Sequence, residues 1–492
     1  MCLPYVVVAF ACMLASCAVN NKVAVPPKYA AAQLQEDLDV AWKTYQEIHP
    51  SYDWYTPRDT VDARFAKVRT SITDSLTEAE FRLRLAYAVA SINCGHTSVS
   101  SSKKFQQNAR GGRGMSFPLD LQVLPGDSLV VTGNRFRDSG VLVRGDVVLS
   151  INDVPAQKFL EQMRQYISSD GYNTTFKDEM ISRSFASRFK WLYGLPPHYI
   201  IRYTDSTGKE SIARLKNFTP KRDTTRIRQA DSSRARPPQP ARGSRKPWRL
   251  TFDSTHTIAY MQLNSFSGWG LQRFFRRSFK TIKRDSIHHV IIDVRYNGGG
   301  NIDNFVALSR YVADKPFTIG DSVSARSLKF PYPTRVKFWW FYKMFGWTMV
   351  HRESDGRLHM GMNERQLYEP RKRLHFDENL YVLTGGTSFS ATILFLHSIQ
   401  HRSNTTTIGE ETGGGARGNS AVMTPDIRLP NTKVLLRLPL FRLVTDHSLP
   451  ENGHGIYPGM YAPVTSHAVR YRYSPAIEVT KELIRNKQAE KR

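Results

Sequence analysis

Two serines sit in "LTGGTSFSATILF", residues 383–395, where a strand-like run meets a glycine-rich turn and then a helical run. Two more glycine-rich stretches, "DVRYNGGGN" and "GEETGGGARG", also follow apolar β-type runs. In α/β sheets, functional residues gather at such strand ends. Gly-Gly-Thr-Ser is a common turn composition, and Ser and Thr are preferred helix caps, so the serines alone decide nothing. The three loops together suit acyl transfer. A serine nucleophile needs exposure on a turn, a base, and backbone N–H donors for an oxyanion. Glycines present their N–H groups without side-chain obstruction. The run Gly298-Gly299-Gly300 offers one donor, and the amide after the serine, at a helix start, offers another. "GGGARG" lacks the Gly-Lys-Ser/Thr ending of a phosphate loop and is no dinucleotide fingerprint, which argues against nucleotide binding. No metalloprotease motif occurs, and neither a metal nor another cofactor is expected.

The elements that must position these loops are strand–turn–helix units running from Trp248 onward. "TIAYMQL", "HHVIIDVR", "NLYVLTG" and "TTTIGEETGGG" are predicted strands. "GLQRFFRRSFKTIKR", "IDNFVALSRYVA" and "ATILFLHSIQ" are predicted helices between them. Such alternation predicts one α/β domain. Residues 31–93 read as helices. Leu34, Leu38, Trp42, Tyr45 and Ile48 form one stripe that stops at His49-Pro50. A second helix is predicted from about Thr60 to Thr73. A third opens with Thr77 and Glu80, spaced as a capping box, and continues through Ile92. Residues 115–218 are β-rich, with "FPLDLQVL", "SLVVTG" and "VVLSIND" as short strands. "VRGDVVLSINDVPAQKFLEQMRQYI" resembles part of a PDZ domain, a module that binds an extended peptide at a sheet edge. Residues 219–247 are rich in Pro, Ser and Arg with hardly an aliphatic side chain, so they read as a solvated linker.

With 492 residues the chain is long enough for two to four domains, and 40% apolar content excludes wholesale disorder. The net charge of +26 permits nucleic-acid binding, an anionic membrane surface or acidic peptides. No zinc-finger, basic-zipper or RNA-binding aromatic pattern supports the first, so no nucleic-acid partner is expected. The start, "MCLPYVVVAFACMLASC", is too short to span a bilayer and fits a signal segment. Its end, Leu14-Ala15-Ser16-Cys17, resembles a bacterial lipobox, which implies lipid attachment at Cys17. The absence of Lys or Arg before the apolar run departs from that pattern. After processing only Cys94 would remain, so no intramolecular disulfide is expected.

"VIIDVRYNGGGNIDNF", "YVLTGGTSFSATILF" and "TTTIGEETGGG", in this order, resemble the tail-specific, or carboxyl-terminal processing, serine peptidases. "LTEAEFRLRLAYAVASINCGHTSV" resembles the "GHT" segment of the histidine-dependent branch of that family, related to the tricorn core protease. The resemblance covers most of the chain from residue 31. It implies a crotonase-like (ClpP-like) α/β catalytic core with a PDZ-like domain and an N-terminal helical domain. It implies Ser390 as nucleophile, leaving Ser388 as a turn residue, and His96 as general base. The oxyanion donors it implies are the Ala391 amide and that of Gly298 or Gly299. The lysine of another branch is replaced by Gly415. Around "PENGHGIYPGM" the expected Glu falls on Asn452, with Glu451 adjacent, and Gly459 replaces an expected Asp. Glu451 or Asn452 would orient the base, or the site would be a dyad, and His454 would line the cleft. His397 reads as core, and His288, His289 and His401 as strand-edge or surface residues.

The expectation is a serine endopeptidase of the bacterial cell envelope, acting on polypeptides and anchored by lipid in the outer membrane, facing the periplasm. The alternative is a catalytically inactive peptide-binding scaffold of the same fold. The expected divisions are 1–16 signal peptide, 17–30 tether, 31–100 helical domain, 112–218 PDZ-like domain, 219–247 linker, 248–480 catalytic domain and 481–492 charged tail. The aromatic stretch "FPYPTRVKFWWFYKMFGWTMV" fits a lid or a membrane-surface segment, and equally a covered hairpin or a helix packed on the core. Nothing in the sequence sets the oligomeric state.

Overall fold

The computed structural model describes residues 26–109, 114–136, 140–220 and 247–490. The expected signal peptide with Cys17, most of the tether, most of the 219–247 linker and the last two residues lie outside them.

Six strands form the central sheet, in the order Trp248–Phe252, Ile258–Leu263, His289–Asp293, Asn379–Thr384, Thr405–Gly409 and Met460–Tyr461. The first pair is antiparallel and the rest are parallel. Parallel strands need cover on both faces, which is why His289–Asp293 is buried at every position. Side chains alternate between the faces. Val290, Ile292, Leu380 and Val382 meet Phe275, Phe279, Phe305 and Phe395 from the helices Leu271–Arg284, Ile302–Val312 and Ala391–Ser398. Ile291, Tyr381 and Leu383 meet Ala476 and Ile484 from the C-terminal helix Pro475–Ala489. The carboxyl ends of His289–Asp293, Asn379–Thr384 and Thr405–Gly409 all point one way, so the three glycine-rich loops emerge on one edge of the sheet.

The N-terminal helices are Ala31–Ile48, Arg58–Thr70 and Glu78–Ala90. The stripe of the first is buried as its spacing predicts, with Leu34, Leu38, Tyr45 and Ile48 fully inside. The capping box forms, Thr77 N–H donating to Glu80 Oε2 at 2.8 Å. The expected separate helical domain is corrected in one respect. These helices share a single apolar core with the central sheet. Strand Ser98–Ser100 also pairs with Leu435–Arg437.

The β-rich unit has its own core, built on Phe117, Phe159, Phe189 and Tyr199. Its antiparallel sheet runs Leu119–Leu124, Ser128–Asn134, Val147–Ile151, His198–Thr204, Glu210–Lys216. Helices Ala156–Arg164 and Thr175–Tyr193 pack on it. The loop between those two helices reaches out of this unit to Asn93, Thr412 and Gly453. Part of the aromatic stretch forms the helix Trp339–Thr348. No helix among the described residues is long and apolar enough to cross a membrane.

Candidate active site

Ser390 stands at the start of Ala391–Ser398 with φ +57° and ψ −122°. A non-glycine residue is rarely held there, and such strain clusters at functional sites. The turn is held from both sides. Ser388 Oγ donates to Val294 O at 2.8 Å and accepts the Gly385 N–H at 3.2 Å. Asn297 O accepts the Phe389 N–H at 3.1 Å and the Thr392 hydroxyl at 2.9 Å. The Gly414 N–H donates to Ser388 O at 3.0 Å, so the third glycine loop is tied in as well. Ser388 is thus a structural residue. Ser390 Oγ has no hydrogen-bond partner among the described residues.

Gly299, at φ +96°, lies so close that an added Cβ would meet Ser390 Cβ at 2.7 Å and the Ala391 nitrogen at 2.9 Å. Its own N–H donates to Asn297 Oδ1 at 2.9 Å. Of the two glycine amides expected as oxyanion donors, the one at Gly299 is therefore engaged, and the one at Gly298 has no hydrogen-bond partner among the described residues. The Ala391 N–H is one of the first-turn donors that a helix leaves unpaired.

His96 lies on the loop after Glu78–Ala90. Its ring stands 4.8 Å from that of Phe389, the residue before Ser390. Each letter of "GHT" has a reason. A Cβ at Gly95 would lie 2.4 Å from Phe389 Cζ, so only glycine lets this loop rest on that ring. Thr97 Oγ1 bonds His49 Nε2 at 2.8 Å, fixing the loop to the end of the first helix. Burial, with a smaller push from Arg437, lowers the His96 pKa to about 4. Its Nδ1 is buried and has no hydrogen-bond partner.

Residue types and spacing gave no warning of Asp170. Its carboxylate accepts the Gly95 N–H at 2.8 Å and the Gly415 N–H at 3.4 Å. The same loop donates Gly171 N–H to Asn93 O, Tyr172 N–H to Gly453 O and Asn173 Nδ2–H to Thr412 O. Burial raises the Asp170 pKa to about 7, against the two amides that lower it. "SSDGYN" carries an Asp-Gly turn signal and nothing that points to a site over 70 residues away in the chain. Asp170→Asn keeps one acceptor and turns the other toward an N–H as a donor. It is expected to lower kcat on a polypeptide by about 10- to 100-fold with KM little changed, since small misplacements cost that much. Steady-state kinetics check it.

Glu451, expected to orient the base, is instead ion-paired with Arg417 at 3.2 Å and is more than half exposed. The guanidinium has captured it. Asn452 Oδ1 accepts the His454 N–H at 3.1 Å, and His454 Nδ1 pairs with Glu411 Oε1 at 3.2 Å. Neither reaches His96. His397 is half-buried and holds Ala416 O at 2.6 Å through Nε2. His289 is buried in its strand rather than at an edge, whereas His288 is at the surface beside Glu378. Among the described residues no cluster of His, Cys, Asp and Glu could hold a metal ion.

A serine held in a strained strand-to-helix turn against a glycine loop, with an imidazole packed on the ring of the preceding phenylalanine, is an arrangement suited to a serine-type hydrolase. Residues 257–462 match the family described as Peptidase family S41. Its fold is similar to that of mature CPAF complexed with lactacystin (TM-score 0.64, 15% identity), over 92% of this chain and 97% of that one. It is likewise similar to mature CPAF alone (TM-score 0.62, 14% identity), over 92% of this chain and 96% of that one. No curated protein matches the chain in sequence.

Proposed function

We propose that this chain is an endopeptidase of the cell envelope that cleaves polypeptides through an acyl-enzyme on Ser390, with His96 as general base. The observation that carries the proposal is the strained Ser390 turn with Gly299 pressed against it and His96 packed on the neighbouring Phe389. With Nδ1 buried, Nε2 is the accessible nitrogen of His96. It takes the Ser390 proton as Oγ attacks the scissile carbonyl, then returns it to the leaving amine. The Gly298 and Ala391 amides receive the oxyanion. Water then attacks the ester and frees the serine. The β-rich unit, read as PDZ-like, would hold an extended peptide on its sheet edge. Signal cleavage and lipid attachment at Cys17 would place the enzyme on the outer membrane, facing the periplasm.

A second reading is favoured by one observation. His96 Nδ1 has no acceptor to stabilise an imidazolium, which suits a silent peptide-binding scaffold of the same fold. A serine-reactive fluorophosphonate separates the two. Labelling that is lost in Ser390→Ala and strongly reduced in His96→Ala supports the peptidase. Peptide binding without labelling under any condition supports the scaffold.

The depressed pKa of His96 sets a pH signature. The base works as neutral imidazole, and a folded value near 4 keeps it neutral well below the ordinary histidine range. The acid limb of kcat/KM is therefore expected near pH 4 rather than about 6.5. A profile that already falls between pH 7 and 6 on gain of one proton, and does so equally in Asp170→Asn, contradicts this.

A further inference from the structure

The helix Trp339–Thr348 is apolar on two opposite faces. Trp339, Tyr342 and Phe345 pack toward the main core, Phe345 edge-on to Phe441 and Tyr342 edge-on to Phe330. On the other side Trp340 and Met344 are more than half exposed, and Phe341 is 40% exposed. Phe338 just before the helix and Met349 just after it are also exposed. A helix that is apolar all round belongs inside a protein or against another apolar phase. A contiguous exposed patch of this kind marks an interaction site.

Charge identifies the phase. From residue 322 to residue 352 the chain has no Asp or Glu and carries Arg326, Lys329, Arg335, Lys337, Lys343 and Arg352. Lys329, Lys337 and Lys343 are exposed, and Lys337 Nζ lies 4.9 Å from the centre of the Phe338 ring. Lys343 stands one turn after Trp340 in the helix, and Lys337 precedes the helix beside Phe338. Of the acids next to this segment, Asp426 is paired with Arg437 at 3.3 Å and Glu353 with His351 at 2.8 Å, and Arg326 is taken by Asp53. An outward face of Trp, Phe and Met with lysines and no acid suits the headgroup layer of an anionic bilayer. The rings enter the acyl boundary while the ammonium groups stay among the phosphates. A protein partner would find few hydrogen-bonding groups here besides the two lysines. We infer that residues 330–350 dock this domain on an anionic phospholipid surface. The inference is independent of acylation at Cys17 and of catalysis.

The test uses the full-length, non-acylated chain in flotation with phosphatidylglycerol/phosphatidylethanolamine vesicles and with phosphatidylcholine vesicles. Each variant shares the wild-type N-terminus, so any contribution from that end cancels. Trp340→Ser/Phe341→Ser/Met344→Ser is expected to weaken binding to the anionic vesicles by at least about 10-fold. Lys337→Glu/Lys343→Glu is expected to remove the preference for the anionic lipid. Thermal melts establish that both variants fold; should the triple variant not fold, the lysine pair decides. Equal flotation of wild type and variants overturns the inference. So does equal wild-type binding to phosphatidylcholine, or a triple substitution that abolishes only self-association or only raises KM for peptide. Those last results assign the face to a second copy of the chain or to substrate.

Discussion

Ser390→Ala is expected to lower turnover of an unfolded polypeptide by at least about 10⁴-fold, with the melting temperature within about 2 °C of wild type. The contrast follows from what the hydroxyl touches. Ser390 Oγ bonds nothing among the described residues, so its loss removes no structural contact. Ser388, two residues earlier, is the opposite case, with its hydroxyl joining Val294 and Gly385. His96→Ala is expected to cost about 10³- to 10⁴-fold, and the double variant no more than the worse single one, because nucleophile and base act as a unit. Rates with a fluorogenic unfolded protein check all three. Additive losses, or an unaffected rate in Ser390→Ala, overturn the assignment of the nucleophile.

The second large effect belongs to a glycine. Gly299→Ala is expected to destabilise the protein by about 3 kcal/mol and to abolish activity, because left-handed strain and overpacking add. Its φ of +96° is strained for any side chain, and the new Cβ would collide with Ser390 Cβ, Phe389 O and the Ala391 nitrogen, each under 3.0 Å away. Gly298→Ala is the matched control. Its Cβ would enter open space, and its φ is not in the left-handed range. A stability change within about 0.5 kcal/mol is expected there. Denaturant unfolding of the two variants makes the comparison. Equal stability of both would show that the close approach of loop and serine does not hold in solution.

Helices and strands were legible because their signals are local. The stripe from Leu34 to Ile48, the Thr77–Glu80 cap and the apolar run through His289–Asp293 each specify one element from neighbouring residues. The same holds for the strand-to-helix turn at Ser390. The hairpin His198–Thr204/Glu210–Lys216 and the long helix Thr175–Tyr193 carry weaker patterns, since much of each faces solvent. The helical segment was legible as helices and not as part of the catalytic core. Which stripe meets which sheet is a property of the packed molecule.

By itself, then, the amino-acid order determined the alternation of strands and helices, the three glycine-rich turns and the presence of a serine at one of them. Only tertiary structure decided what surrounds that serine. It brought His96, almost 300 positions away in the chain, onto Phe389, which it permitted by the missing side chain at Gly95. It recruited Asp170 to hold that loop, and it gave Glu451 to Arg417. The physical reason is one of range. Periodicity, caps and turns are set by interactions a few residues long. A contact between distant side chains depends on the packing of every element between them, and on which of several charges reaches a partner first in space.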